Sequence, residues 1–158
     1  MKKIVLGLVG LALVASFANA KKLDFSDYGF VINNPEVSKN EKVRQPVIIF
    51  LNPTDPRYTP NINIQVQDFN STIEEYEKIS QETLQQVGGT LINKSINRKV
   101  LVIEYKIKHG EAEVHYYARA VLDAKTNTIY LATGSVLDSE WNIHGKKIRD
   151  SVLSLNLK

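Results

Sequence analysis

Glu104, Glu113 and His115 are the residues of this 158-residue chain whose types come nearest to a reactive or metal-holding set. Val100 to Lys108 and Ala112 to Leu122 alternate as strands, and His109-Gly110 between them reads as a two-residue turn. That turn sets Lys106 against Glu113 and Glu104 against His115, so that apolar residues meet on one face and opposite charges on the other. Two carboxylates and an imidazole could hold Zn²⁺ or Mn²⁺, or serve as an acid–base pair. Same-face neighbours along a strand stand roughly 6.7 Å apart, so such ligands have to converge. The plainer reading, which the sequence favours, is a ladder of exposed ion pairs worth about 0–1 kcal/mol each, with no cofactor.

Other routes to catalysis are missing. The chain has no G-x-S-x-G, H-E-x-x-H, Walker loop or dinucleotide fingerprint, and Gly134-Ser135 lacks the flanking glycine of an esterase elbow. It has no cysteine, which excludes both a thiol nucleophile and a disulfide framework. His109 reads as a turn residue, and His144 as a half-buried, hydrogen-bonded member of a helix stripe. Trp141 reads as a core anchor between helix and sheet. The expectation is a protein that is not an enzyme.

Residues 52 to 61, N-P-T-D-P-R-Y-T-P-N, carry three prolines. Each fixes its own φ and biases its predecessor toward extended backbone, so Asn52, Asp55 and Thr59 are restricted as well. The loop therefore loses little entropy on ordering. Asp55, Arg57 and Tyr58, with Asn63 and Gln65 on the polar face of the strand that follows, form a candidate protein-binding edge, because Tyr and Arg supply contact energy at low ordering cost. The simpler alternative is a stiff connection between two strands.

The first residues suggest export. Lys2 and Lys3 precede a mostly apolar stretch from Ile4 to Phe17 and then Ala18-Asn19-Ala20, the pattern of a cleaved secretory signal over residues 1–20. The stretch falls short of the ~20 residues of a permanent span, so no stable membrane insertion is expected after cleavage. Lys21, not Cys, follows the expected cut, so no lipid is attached there. Losing Lys2 and Lys3 turns 20 Lys and Arg into 18 against 17 Asp and Glu, a balance that leaves no footprint for nucleic acid. The expected location is periplasmic or extracellular, with an unidentified envelope protein as partner. Residues 21–158 are enough for one domain.

Several elements must position these residues. Lys21 to Asp27 reads as a polar lead, with a short strand at Tyr28, Phe30 and Ile32 and a loop over residues 36–45. Val47 to Leu51 is a continuous apolar run, the sign of a strand buried on both faces. Ile62, Ile64 and Val66 alternate with Asn61, Asn63, Gln65 and Gln67, giving one dry and one polar face. Ser71 or Thr72 caps a helix whose stripe runs through Ile73, Tyr76, Ile79, Thr83, Leu84 and Val87 and which ends at Gly88-Gly89. A strand follows over Thr90 to Ile96, then the hairpin, then Ile129 to Val136. Asp138 or Ser139 caps a last helix whose stripe carries Trp141, His144, Ile148, Val152 and Leu155. Strands and helices without strict alternation indicate an α+β fold with a mostly antiparallel sheet.

With these elements in order, Tyr28-Gly29-Phe30, Ile49-Phe50-Leu51-Asn52-Pro53, Thr59-Pro60-Asn61-Ile62-Asn63-Ile64, an early helix and a late Trp-bearing helix together resemble the PsbP-like superfamily over nearly all of residues 21–158. The resemblance implies an antiparallel sheet covered by helices in an α-β-α sandwich. It also implies a role in binding or assembling other proteins without catalysis. The polar alternation from Asn61 to Gln67 departs from that pattern and suggests a sheet face less fully covered.

Overall fold

In the computed structural model of the protein, residues 22–25, 30–33 and 46–157 are described. The proposed signal at residues 1–20, Tyr28 and the loop over 36–45 lie outside them. Strands β1 (Lys22–Phe25) and β2 (Phe30–Asn33) pair antiparallel in a two-stranded sheet, Leu23 opposite Ile32. The segment read as a polar lead thus contains a strand.

Residues 46–157 build a six-stranded antiparallel sheet in the order β3-β4-β8-β7-β6-β5. The strands are β3 (Val47–Phe50), β4 (Asn61–Asp68), β5 (Thr90–Asn97), β6 (Val100–His109), β7 (Ala112–Asp123) and β8 (Thr128–Leu137). Helix α1 (Ile73–Gln86) joins β4 to β5, and a 3₁₀ turn (Asp138–Glu140) leads from β8 into α2 (Trp141–Leu153).

Local sequence accounts for the ends of α1. Thr72 is its N-cap and accepts a hydrogen bond from the Glu75 amide at 3.3 Å, while Glu74 and Glu75 complement the positive end of the helix dipole. At the other end, Gly89 N–H donates to the Leu84 carbonyl and Gly88 N–H to that of Gln85, a Schellman closure. Val87 falls at the C-cap, beyond the reach of the apolar stripe, and is exposed.

Register places the two helices on opposite faces. Residues directly across a ladder share a face, so Tyr117 and Gly134 point one way and Ala118 and Thr133 the other. On the Gly134 face, Ile148 and Val152 of α2 pack with Ile62, Ala132 and Val136. On the opposite face, Ile73 and Tyr76 of α1 pack with Leu101, Ala120, Leu122 and Ile129. The result is the α-β-α sandwich expected. β4 behaves as its alternation predicts: Ile62 and Ile64 face α2, while Asn61, Asn63, Gln65 and Gln67 face away from it.

β3 departs from expectation. Its unbroken apolar run predicts burial on both faces, yet all four residues are exposed, Phe50 at 68%. The strand lies at the end of the six-stranded order and, among the described residues, pairs with β4 alone. An edge position removes the neighbours that bury a central strand.

Gly134 determines how close α2 comes. A Cβ there would stand 2.2 Å from Ile148 Cγ2, so only glycine lets the helix seat on β8. Gly134→Ala is therefore expected to destabilise the fold by about 1–3 kcal/mol through overpacking, read as a lower urea midpoint at unchanged slope. An unchanged midpoint would mean that the helix seats differently.

Candidate functional site

The β6–β7 hairpin turns one residue later than the sequence suggests. Gly110 and Glu111 are the turn residues and His109 pairs with Ala112 as the last residue of β6. Gly110 has φ +62 while Glu111 does not share a positive φ, which suits a type II′ turn with glycine first. The pairing slips by two residues: Glu104 stands opposite Tyr117, and His115 opposite Lys106. Because side chains alternate with period two, a two-residue slip keeps every residue on its face. Glu104 and His115 thus remain same-face neighbours, now on a diagonal.

These two are not an exposed ion pair. Glu104 is 7% exposed and His115 4%. His115 Nε2 lies 2.8 Å from Glu104 Oε1, and its Nδ1 lies 2.9 Å from Oδ1 of Asp138, from the 3₁₀ turn. Each ring nitrogen faces a carboxylate oxygen, so both contacts are hydrogen bonds when the ring carries both protons. Arg149 of α2 donates a second hydrogen bond to Glu104 Oε1 at 2.7 Å, and Lys106 donates to Asp138 Oδ2 at 2.7 Å. Trp141 stacks on the imidazole with centroids 3.6 Å apart and planes 7° from parallel, and the Arg149 guanidinium lies 4.9 Å from the Trp141 ring centre. Strands β6 and β7, the 3₁₀ turn and, through Trp141 and Arg149, α2 are joined in one network.

Asp138 and Ser139 accordingly do not cap α2; the Asp138 carboxylate is engaged by His115 and Lys106, and the helix begins at Trp141 without a side-chain cap bond. His109 places its Nε2 2.9 Å from the hydroxyl of Tyr116, which in turn stacks on Tyr105 at 4.9 Å. Burial raises the Tyr116 hydroxyl to about 12, so it stays a neutral phenol. His144 is half-buried as its place on the stripe predicts, but its Nε2 is buried with no hydrogen-bond partner.

The proline loop between β3 and β4 is tied down on both sides of the sheet. On the α2 side, the Thr54 hydroxyl donates to Oε1 of the buried Glu140, which ends the 3₁₀ turn. On the α1 side, the Tyr58 hydroxyl donates to Ser135 Oγ at 2.7 Å. At its neck, Leu51 N–H donates to the Pro60 carbonyl at 2.8 Å. Arg57 turns back on Asp55, its Nε donating to both carboxylate oxygens at 3.0 and 2.9 Å and its backbone N–H to Oδ1 at 2.9 Å. These hydrogen bonds from Arg57 lower the Asp55 carboxyl to about 2.

Of the residues expected to form a binding edge, Asp55 and Arg57 are clasped together at the loop tip. Tyr58 is half-buried and points to Ser135, on the face that also carries Asn63 and Gln65. Asn63 Oδ1 is buried without a partner there, and Gln65 Oε1 accepts from Gln67. Of the residues expected to hold metal, Glu104 and His115 are brought together, whereas Glu113 is turned to Lys106 at 3.4 Å. Among the described residues, no three His, Cys, Asp or Glu side chains form a group that could hold a metal ion. Asp138, Glu140 and Arg149 escaped the sequence reading. Asp138 carried only a capping signal, and nothing local marks Arg149 as the partner of a strand carboxylate 45 residues away.

No protein-family model and no curated protein matches the chain. Solved structures do match. The chain is similar to a Pseudomonas aeruginosa protein of unknown function, with a TM-score of 0.64 and 10% identity over 89% of this chain and 99% of that one. A further match is the solution structure of the cyanobacterial PsbP of Synechocystis sp. PCC 6803, with a TM-score of 0.47 and 12% identity over 94% of this chain and 97% of that one. The first of these shows a shared fold.

Removing the imidazole leaves Glu104 buried with Arg149 as its remaining hydrogen-bond partner. His115→Ala is expected to lower stability by about 1–3 kcal/mol, the cost of leaving a buried polar group short of a partner, in urea unfolding. Acid should also weaken the fold through Asp138. Burial pushes its carboxyl up, but hydrogen bonds from Lys106 and His115 outweigh this and hold it below the ordinary 3.8. A carboxylate held low stabilises the folded state above the unfolded value and stops doing so as pH falls through the folded one. Stability should therefore fall on acidification below 3.8, and less steeply in Asp138→Asn. Equal slopes in both proteins would remove Asp138 from the account.

Proposed function

We propose that the protein is an exported, non-catalytic domain of PsbP-like type that docks another envelope protein through the loop at residues 52–60 and the adjoining face bearing Tyr58, Asn63 and Gln65. One observation carries this reading. The loop is fixed to Glu140 on one side of the sheet and Ser135 on the other, while the Arg57 side chain at its tip remains 79% exposed. A preorganised loop presenting an arginine meets a partner with little ordering cost.

Other features agree. Asn63 and Gln65 lie on the sheet face away from α2, where the buried Asn63 Oδ1 has no hydrogen-bond partner among the described residues. Beside them, β3 offers an edge with exposed apolar side chains. The signal-like residues 1–20 support export to the periplasm or beyond. Among the described residues, no helix is long and apolar enough to cross a membrane. The fold likeness supports the architecture on which the reading rests.

A photo-reactive residue placed at Arg57 should give one discrete adduct in the envelope of the native cell, whereas the same residue at Lys125, in the exposed β7–β8 turn, should give none. Arg57→Ala should leave the melting temperature unchanged and weaken capture of that adduct's partner. Tyr58→Phe, which removes the bond to Ser135, should cost about 1 kcal/mol of stability. Absence of an adduct at Arg57, or equal adducts at both positions, would place the interface elsewhere.

A further inference from the structure

α2 leaves part of its sheet face uncovered. The helix lies over β8 and β7 near Gly134 and Tyr117, and it does not extend over the same face toward β5 and the β5–β6 turn. An open cleft of about 640 Å³ occupies that region. Register accounts for its lining. Ser95 pairs with Val102, which pairs with Arg119, and Asn97 pairs with Val100. Two valines thus form an apolar floor, with Ser95 and Asn97 on one side and Arg119 on the other. Arg98 and Lys99, the two residues of the β5–β6 turn, complete the rim.

The charges in this cleft are unbalanced. Among the described residues, no carboxylate lies within salt-bridge distance of Arg98, Lys99 or Arg119. The acids that could have served are engaged elsewhere. Glu104, diagonal to Arg119 across β6 and β7, is held by His115 and Arg149. Asp123, near the turn, accepts from the Lys125 amide and the Thr126 hydroxyl of its own loop, both at 2.9 Å. Among the described residues, Arg119 Nε is buried with no hydrogen-bond partner. Arg98 takes up φ +54, a left-handed conformation that glycine or asparagine adopts far more readily, and thereby occupies a turn position at the rim.

From this combination we infer a small-molecule site for an organic phosphate: a phosphomonoester-type dianion held by Arg98, Lys99 and Arg119, carried on a small apolar body that lies on Val100 and Val102. Two guanidinium groups and an ammonium match the charge and the fork geometry of a phosphate oxyanion. Ser95 and Asn97 add polar contacts for an ester or hydroxyl oxygen. The apolar floor distinguishes this from a site for inorganic phosphate alone. The inference does not rest on the loop reading, since the cleft shares no residue with residues 52–60.

The test is titration of the ¹⁵N-labelled protein with phenyl phosphate, inorganic phosphate and benzyl alcohol, followed by amide shifts. Phenyl phosphate should bind saturably with a Kd below ~1 mM, with shifts at residues 95–102 and 119. Inorganic phosphate should bind at least about tenfold more weakly, and benzyl alcohol not measurably, because each lacks one half of the recognition. Arg119→Gln should weaken phenyl phosphate about tenfold or more, the loss expected for a charged hydrogen-bond partner. Arg98→Gln, at an exposed turn position, should do the same and serves if the first variant folds poorly. Arg57→Gln, in the remote loop, should leave the affinity unchanged. Non-saturating shifts, shifts away from the cleft, equal affinity for inorganic phosphate, or an unaltered Kd in Arg98→Gln would each overturn the assignment.

Discussion

The imidazole of His115, buried between Glu104 and Asp138 beneath Trp141, is the contact on which the rest of this structure depends. Withdrawing charged groups from water is costly, and the cost is offset only where each is met by partners in good geometry. Here Glu104 receives His115 and Arg149, and Asp138 receives His115 and Lys106. Removing His115 takes a partner from the buried Glu104 and from Asp138 at once, so the ring specifies one position for the 3₁₀ turn relative to β6 and β7. The stack of Arg149 on Trp141 and Trp141 on His115 carries that constraint from the sheet into α2. Gly134, by admitting Ile148, lets the middle of the helix follow.

From the 3₁₀ turn the constraint passes to the loop. Asp138 is held by the histidine, and two residues later Glu140 accepts the hydroxyl of Thr54. Ser135 of β8 takes Tyr58 from the opposite side of the sheet. Three prolines alone would stiffen residues 52–60 without fixing where they point. The two side-chain bonds supply the direction, and the backbone bond from Leu51 to Pro60 closes the neck. Stiffness and orientation together are what a docking loop needs.

Much of this was legible in the chain wherever the signal is local. Thr72 and Gly88-Gly89 mark α1 because caps are read by neighbours in sequence. The alternation of Ile62, Ile64 and Val66 with amides predicts two unlike faces, and β4 has them. The hairpin keeps the faces its alternation predicts but not the turn, since His109-Gly110 and Gly110-Glu111 are both plausible two-residue loops and differ by a slip that preserves parity. β3 differs from its expected burial because apolar content does not say whether a strand is central or at an edge. The histidine cluster was half visible: Glu104 and His115 were singled out, whereas Asp138, Arg149 and the burial of the whole come from a helix folded back over the sheet, which no local pattern reports. The same holds for Thr54 and Ser135, ordinary hydroxyl residues until their partners from distant segments are in place.

The dependence of the loop on the histidine is most directly tested by amide hydrogen exchange at Leu51 and Tyr58, whose N–H groups donate to the Pro60 and Asp55 carbonyls. In His115→Gln, which keeps a polar side chain but cannot reach two carboxylates from opposite ends, both amides should exchange faster together with the first turn of α2, while those at the β7–β8 ladder remain protected. Faster exchange in α2 with unchanged exchange at Leu51 and Tyr58 would show that the loop is ordered without the histidine, contrary to this account.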